Sequence, residues 1–334
     1  MKKVLIIANY QPSVGGISGQ VDLLYKYLNK EDKFLAQIFS LRGSIVKRIC
    51  LIVRLVFIAF KFDVLHIHTC SGRGFLSAVV GTYIGRIYKK KIIITYHGGD
   101  ADAFFAKKIN FVRKIFSKAN KVIVLSGFLK KVFDKYSLPC IVIPNIIEFD
   151  ARLYTEKSTI HPKFISVRHL RELYNVQCIL KAFEIVKQKI PNATLTILGD
   201  GNLRNQLQNW TKEHKLADVT FKGAVPHEEM NNYLLQNDIL LSAPRIDNMP
   251  MSVLEAYNAG LLVISSNVGG VPYILEENKT GLLFESDSAE ELASKMIQAV
   301  QNEQHTIEMI TNAYQSLEMY KWENIKENLL EIYK

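Results

Sequence analysis

Short apolar runs alternate with longer amphipathic stretches along the whole chain. This alternation is typical of strands followed by helices, and it predicts an α/β fold in which helices cover parallel sheets. The predicted strands of the first half are 3–8, 35–40, 64–68, 92–96, 122–125 and 141–143, with helices near 17–29, 45–61, 73–87, 103–118 and 127–136. In the second half the predicted strands are 163–167, 194–198, 219–221, 239–242, 261–264 and 281–284.

A polar stretch without strand character, 148–162, separates the two series. A length of 334 residues also corresponds to about two domains. The pattern therefore predicts two doubly wound domains, 1–150 and 151–317, that face each other across a cleft. Ligands of open parallel sheets bind beyond the carboxyl ends of the strands, so the chemistry is expected in the loops that follow them.

Charge is distributed unevenly between the two halves of the chain. Residues 1–150 hold 24 Lys and Arg against 9 Asp and Glu, a net charge of +15, whereas residues 151–334 hold 18 against 23, a net charge of −5. The basic half predicts an anionic partner, which could be a membrane surface, nucleic acid or a phosphorylated substrate; solvated lysines on exposed helices are the alternative.

The four cysteines lack zinc or disulfide spacing, which favours a reducing cytosol. The first apolar run, 4–8, is too short for a signal peptide.

Two loops of the first half contain candidate chemistry. A glycine-rich turn, 12–19, opens the first helix, and Gly15 and Gly16 would let backbone N–H groups approach a phosphate. An ordinary tight turn explains it equally well. His97 follows the strand 92–96 and could donate to a substrate oxygen or serve only the structure. His66 and His68 share one strand face, which favours packing over metal binding.

In the second half, Arg168 ends the strand 163–167, where a guanidinium could bind a diphosphate or form a surface ion pair. The turns at Gly201 and Val225 also follow strands.

Residues 238–284 hold the densest set of candidates. Asp247 lies in a loop, and Glu255 lies eight residues later within a predicted helix. A helical carboxylate can accept both hydroxyls of a ribose, and the first N–H groups of that helix, at Met251, Ser252 and Val253, suit a diphosphate. The stretch therefore predicts a nucleoside diphosphate pocket. A buried carboxylate that caps local backbone is the alternative.

These residues resemble the signature of family 4 retaining glycosyltransferases, in the type that builds bacterial surface polysaccharides. The shared motifs are Asp247-x7-Glu255, Gly260, the run 267–272 and the run 278–283; weaker matches are Gly15-Gly16, Thr95-x-His97-Gly98, the runs 143–145 and 199–201, and Tyr320-x-Trp322. The resemblance covers essentially the whole chain.

The resemblance implies the GT-B fold, with two facing Rossmann-like domains and a C-terminal helix, about 318–334, that crosses back onto the N-terminal acceptor-side domain. It implies a hexosyltransferase that uses a UDP- or GDP-linked sugar with retention and needs no metal or other cofactor. By position, Gly16 would approach the donor phosphates and Arg168 would hold the diphosphate, to which Met251, Ser252 and Val253 would offer N–H groups. Val225 would line the base pocket, and Glu255 would bind the ribose. Asp247 would touch the sugar, and His97 would lie beside the reacting centre.

Three positions depart from the family pattern. Asp247 stands where Glu is usual, Val167 replaces a Gly, and Tyr174 replaces a diphosphate-binding Lys whose charge Arg171 could restore. Two other functions stay open. A sugar-nucleotide epimerase on the same fold would need only the donor pocket, but it leaves the basic first half unexplained. Asp247 and Tyr174 motivate the other alternative, a catalytically weak donor-binding subunit of a glycosyltransferase complex.

The segment 45–62 is predicted to form a helix that is apolar almost all round, with Lys47, Arg54 and Lys61 on one narrow stripe and only Arg48 outside the pattern. Such a helix is either packed within the domain or lies in a membrane interface. Nearby basic residues favour an anionic membrane: Arg86, Lys89, Lys90, Lys91, Lys107, Lys108, Arg113 and Lys114. We therefore expect a cytoplasmic protein, peripheral on the inner face of the cell membrane, that glycosylates a lipid-linked glycan in polysaccharide, O-antigen or capsule biosynthesis. No nucleic-acid module is found.

Overall fold

The computed structural model describes residues 1–12 and 15–334. Contacts between residues divide the chain into two compact units. The first unit comprises Met1–Glu148 together with Tyr320–Lys334, and the second comprises Phe149–Met319.

The first unit is built on a parallel sheet of six strands, in the order β2-β1-β3-β4-β5-β6. Its strands are β1 Lys2–Ala8, β2 Phe34–Ser40, β3 Val64–Thr69, β4 Lys91–Tyr96, β5 Lys121–Val124 and β6 Ile141–Val142. Its helices before the return of the chain are α1 Gly15–Leu28, α2 Ile45–Ala59, α3 Leu76–Ile87, α4 Ala101–Phe116 and α5 Gly127–Lys135.

Burial on both faces explains the continuous apolar runs of these strands. The residues of β1 from Val4 to Ala8 are all buried, and so are the residues of β3. Central strands of a parallel sheet covered by helices are buried on both faces, so their hydrophobic residues do not alternate with polar ones. The edge strand β2, by contrast, alternates between buried and exposed residues from Phe34 to Gln37. The pattern along the chain therefore located these strands well.

The second unit repeats the plan with the strand order β12-β11-β10-β7-β8-β9. Its strands are β7 Lys163–Val167, β8 Thr194–Leu198, β9 Val219–Gly223, β10 Ile239–Ser242, β11 Leu262–Ser266 and β12 Leu282–Phe284. Its helices are α6 Val176–Lys189, α7 Arg204–Glu213, α8 His227–Leu234, α9 Met251–Asn258, α10 Ala289–Gln301 and α11 Glu303–Ser316.

The last helix, α12 (Trp322–Tyr333), packs within the first unit. The Trp322 ring stacks on Tyr27, with centroids 5.2 Å apart, and its indole N–H donates to Glu31 over 2.9 Å. At the other end of the helix, the buried Tyr333 contacts the ring of Phe34. The C-terminal segment is thus an integral part of the first unit's core.

The predicted fold class is confirmed, and three strands, β7, β8 and β10, match the prediction at both ends. Helix α2 ends at Ala59, so the predicted helical stripe stops at Arg54 and Lys61 lies in the turn that follows. Strand β11 continues to Ser266, beyond the predicted end at 264, because Ser265 and Ser266 pair with β12, and their polar side chains broke the apolar run. The prediction for the turn 12–19 falls partly on residues 13 and 14, which lie outside the described residues.

Candidate nucleotide-sugar site

Arg168 is held by three parts of the second unit. One guanidinium nitrogen lies 3.1 Å from an Asp247 carboxylate oxygen, and another donates to Ser242 Oγ over 3.0 Å. The guanidinium carbon lies 5.5 Å from the centroid of the Tyr174 ring, within range of a cation–π contact. Since β7 and β10 are neighbours in the sheet, Arg168 and Ser242 meet at the carboxyl ends of adjacent strands.

Two glycines allow the backbone around Arg168 to adopt this position. Gly199 has a φ of +133°, and a Cβ there would lie 1.9 Å from the carbonyl oxygen of Arg168. A Cβ at Gly201 would lie 2.3 Å from the carbonyl oxygen of Leu170. The loop 199–201 therefore packs directly on the backbone that carries Arg168, which gives Gly201 a supporting role in the site.

The glycine pair of the run 267–272 supports the Asp247 loop in the same way. Gly270 N–H donates to the Asp247 carbonyl over 2.9 Å. A Cβ would come within 2.1 Å of the Asp247 carbonyl oxygen at Gly269 and within 1.7 Å of the Asn248 carbonyl oxygen at Gly270. Only glycine permits this contact, so the motif supports the loop that carries Asp247.

Glu255 lies on α9 with its carboxylate close to positive charge. Burial raises the pKa of Glu255, whereas the charges of His227 and Arg168 lower it. Among the described residues, none donates a hydrogen bond to this carboxylate, which leaves both oxygens available as acceptors. His227 was not among the residues predicted for the site; its place directly after the turn that contains Val225 was the available signal.

The other residues predicted to bind the donor differ in burial and in hydrogen bonding. The N–H of Val253 donates to the Pro250 carbonyl over 3.2 Å, because the first turn of α9 is tightened, so it is not free as expected. Ser252 Oγ is buried and has no hydrogen-bond partner among the described residues. The side chain of Arg171 is exposed, and Val225 is half-buried. The structure brings together Arg168, Asp247, Tyr174 and Glu255.

In the first unit, His97 follows β4 and pairs with His68, whose Nδ1 lies 2.9 Å from His97 Nε2. Burial lowers the pKa of His97 to about 3, so the ring is neutral near pH 7. Gly15 and Gly16 begin helix α1, and a Cβ at Gly16 would meet no atom of the described residues within 4 Å.

Two kinds of feature are absent from the described residues. No helix among them is long and apolar enough to span a bilayer. Nor do they contain a group of three or more His, Cys, Asp or Glu side chains that could hold a metal ion.

Comparison with known proteins identifies the fold and the family. HepE of Anabaena, solved in complex with UDP-glucose, superposes with a TM-score of 0.82 at 17% identity and covers 99% of each chain. An uncharacterized glycosyltransferase of Methanocaldococcus jannaschii is 21% identical over 99% of this chain and 98% of its own length. The N-acetyl-alpha-D-glucosaminyl L-malate synthase of Bacillus anthracis is 24% identical over 82% of this chain and 74% of its own.

Two parallel Rossmann-like sheets with a returning C-terminal helix define the GT-B class. Residues 34–151 match the model of glycosyltransferase family 4, and residues 153–316 match that of glycosyl transferases group 1. The chain belongs to this family of retaining, nucleotide-sugar-dependent glycosyltransferases.

Proposed function

We propose that the protein transfers a hexose from a nucleotide-diphosphate donor to a hydroxyl of a lipid-linked glycan, with retention at the anomeric carbon. The observation that supports this most is the arrangement around Arg168. An almost buried guanidinium stands between Asp247 and Ser242, and Glu255 is close enough to feel its charge. Arg168 would hold the diphosphate, Glu255 the ribose hydroxyls and Asp247 the transferred sugar.

This arrangement favours the transition state over the bound donor. As the bond from the anomeric carbon to the diphosphate oxygen breaks, negative charge grows on the leaving group, and Arg168 stabilises it. The acceptor hydroxyl forms its bond to the anomeric carbon from the same face. Its proton passes to the leaving diphosphate oxygen, so no protein base is required.

The ion pair between Arg168 and Asp247 supports a specific role for the shortened acid. Asp247 is one methylene shorter than the Glu usual in the family, and in the structure its carboxylate already contacts the guanidinium. A bound diphosphate would compete for that guanidinium and free Asp247 to accept from a sugar hydroxyl. Tyr174, in the place of the usual Lys, covers Arg168 without adding charge.

Donor binding is the first test. Because HepE, which has the same fold, was solved with UDP-glucose, UDP-sugars are screened before GDP-sugars. A cognate donor at 100 times its dissociation constant should stabilise the protein by ~2.7 kcal/mol, visible as a rise in Tm in a thermal-shift assay. Nucleoside monophosphates serve as the control, since they lack the diphosphate.

The products then distinguish the three functions. A transferase releases nucleoside diphosphate slowly to water even without acceptor, an epimerase returns an isomeric nucleotide sugar, and a binding subunit gives neither. Stabilisation without any turnover in the presence of lipid-linked acceptors would contradict the proposal.

We also propose that helix α2 docks on an anionic membrane that holds the acceptor. The helix packs Leu55 and Ala59 into the core, and its opposite face exposes apolar side chains. These are Ile45, Val46, Ile49, Val53 and Phe57, with Phe60 directly after the helix; Ile45 is 80% and Phe57 68% exposed. At 100° per residue they fall within a sector of roughly 120°. We call this sector the α2 apolar face.

Charge beside this face matches an anionic leaflet. Lys47 and Arg54 flank the α2 apolar face and are exposed. Helix α3, which packs against α2, exposes Ile87 together with Arg86. Each basic residue near the surface adds about 1 kcal/mol of attraction to acidic lipid. An interfacial helix of this kind inserts its apolar face while its basic residues contact headgroups.

The variant Phe57→Ser tests the docking. It should weaken binding to vesicles of phosphatidylcholine and phosphatidylglycerol by roughly tenfold, since a large apolar side chain contributes about 1.5–3 kcal/mol when buried. Met319→Ser, which removes an exposed apolar side chain from the second unit, should bind like the unmodified protein. Equal recovery with and without phosphatidylglycerol, or a stable dimer in ultracentrifugation that Phe57→Ser dissociates, would contradict membrane docking.

A further inference from the structure

The rings of His66, His68 and His97 form a row in space near the carboxyl ends of β3 and β4 in the first unit. His68 Nδ1 is 2.9 Å from His97 Nε2, and the two rings stack with centroids 5.1 Å apart and planes 26° apart. The His66 ring lies on the other side of His68, at 4.6 Å between centroids. Side chains of these residues line a cavity of about 40 Å³.

Both nitrogens of His66 have fixed partners. Nδ1 lies 2.6 Å from the Tyr333 hydroxyl on α12, and Nε2 lies 2.7 Å from Thr95 Oγ1 on β4. Tyr333 is fully buried, so this end of the row is held by the C-terminal helix. His66 therefore has no ring nitrogen left for His68.

We propose that His68 is a positioning residue that fixes the proton of His97 on Nδ1. The inference concerns the chemistry of the first unit itself. Its catalytic meaning rests on the proposed function and on the expectation from the family resemblance that His97 lies beside the reacting centre.

The buried nitrogen of His68 decides which proton arrangement is stable. His68 Nε2 is buried and has no hydrogen-bond partner among the described residues. A proton there would be a buried, unpaired N–H donor, which folded proteins tolerate less often than a buried, unpaired acceptor. On Nδ1 the same proton forms a hydrogen bond, because it points at His97 Nε2. In that arrangement His97 Nε2 accepts, and the proton of His97 must be on Nδ1.

His68 and His97 together carry two ring N–H protons when both are neutral, and a third proton, which would make one ring cationic, is disfavoured. Burial lowers the pKa of His97 to about 3 and that of His68 well below its ordinary value, and the three rings also repel one another's charge. Both rings are therefore neutral near pH 7, and the single bond between them has one donor and one acceptor.

The consequence is a defined hydrogen-bond donor at the partly exposed ring. His97 Nδ1 has no hydrogen-bond partner among the described residues. With its proton fixed there, His97 offers a neutral N–H to an oxygen of the ligand, such as a sugar hydroxyl, and cannot accept a proton at that atom. His97 thus acts as a donor and not as a general base.

Nitrogen NMR of the full chain tests the proposal without reference to activity. Long-range proton–nitrogen spectra of protein labelled with ¹⁵N-histidine, assigned through the variant His97→Asn, should show His97 with a protonated Nδ1 and a bare Nε2. In His68→Phe the Nε2 of His97 loses its donor, and the Nδ1–H form should no longer dominate. His68→Asn, whose amide can donate from nearly the position of Nδ1, should restore it. His305→Phe, an exposed control, should change nothing.

Activity adds a second readout. His68→Phe should lower kcat roughly two- to tenfold, the equivalent of one neutral hydrogen bond, and His68→Asn should recover most of it. A proton on His97 Nε2 in the unmodified protein would overturn the inference, and so would an unchanged His97 tautomer in folded His68→Phe. Failure to find any glycosyl transfer would instead contradict the proposed function and leave the NMR result standing.

Discussion

Replacing Arg168 by alanine should lower kcat by about 10²- to 10³-fold, the size of effect seen when one charge-stabilising donor is removed from an active site. The side chain is only 11% exposed and contacts both Asp247 and Ser242. Without it, the guanidinium that contacts Asp247 and Ser242 is no longer there to stabilise the diphosphate as it leaves. Initial rates of nucleoside diphosphate release measure the loss.

The alanine variant also removes the positive charge beside Asp247 and Glu255, so the stability of the folded protein needs a separate measurement. Arg168→Lys keeps the charge but cannot contact Asp247 and Ser242 with two nitrogens at once, and it should lose activity at nearly unchanged Tm. Arg171→Ala reports whether this exposed side chain supplies the charge missing at Tyr174. Arg152→Ala, which removes an 89% exposed arginine, is the matched control. Full activity in Arg168→Lys would contradict the proposed binding of the diphosphate by the Arg168 guanidinium.

Glu255→Gln should weaken donor binding by about 1.5–3 kcal/mol, the range for a hydrogen bond to a charged group, which corresponds to roughly tenfold or more in Kd. Burial already disfavours the charged carboxylate, so the neutral amide should not destabilise the fold. Calorimetric titration with the donor found by the thermal-shift screen measures the change.

Glu229→Gln controls for the loss of one negative charge, because Glu229 is exposed on α8. It should leave the donor affinity unchanged. If Glu255→Gln binds the donor as tightly as the unmodified protein does, Glu255 does not hold the ribose, and His227 becomes the first residue to test in its place.

The sequence by itself was sufficient for the architecture. Strands buried on both faces need continuous apolar runs, and this local requirement made β7, β8 and β10 predictable to the residue. The rule that ligands bind at the carboxyl ends of parallel strands then pointed to Arg168 and His97, because each follows a strand directly. Both results depend on neighbours along the chain.

The partners of those residues depended on the tertiary structure. Arg168 meets Asp247 across 79 positions of sequence, and His97 meets His68 only because β3 and β4 are paired in register. The α2 apolar face became visible for the same reason, since a helix apolar almost all round does not reveal which side the core covers. Hydrophobic pattern is a local property, whereas hydrogen bonds, ion pairs and burial arise only where packing brings distant segments within a few ångströms of one another.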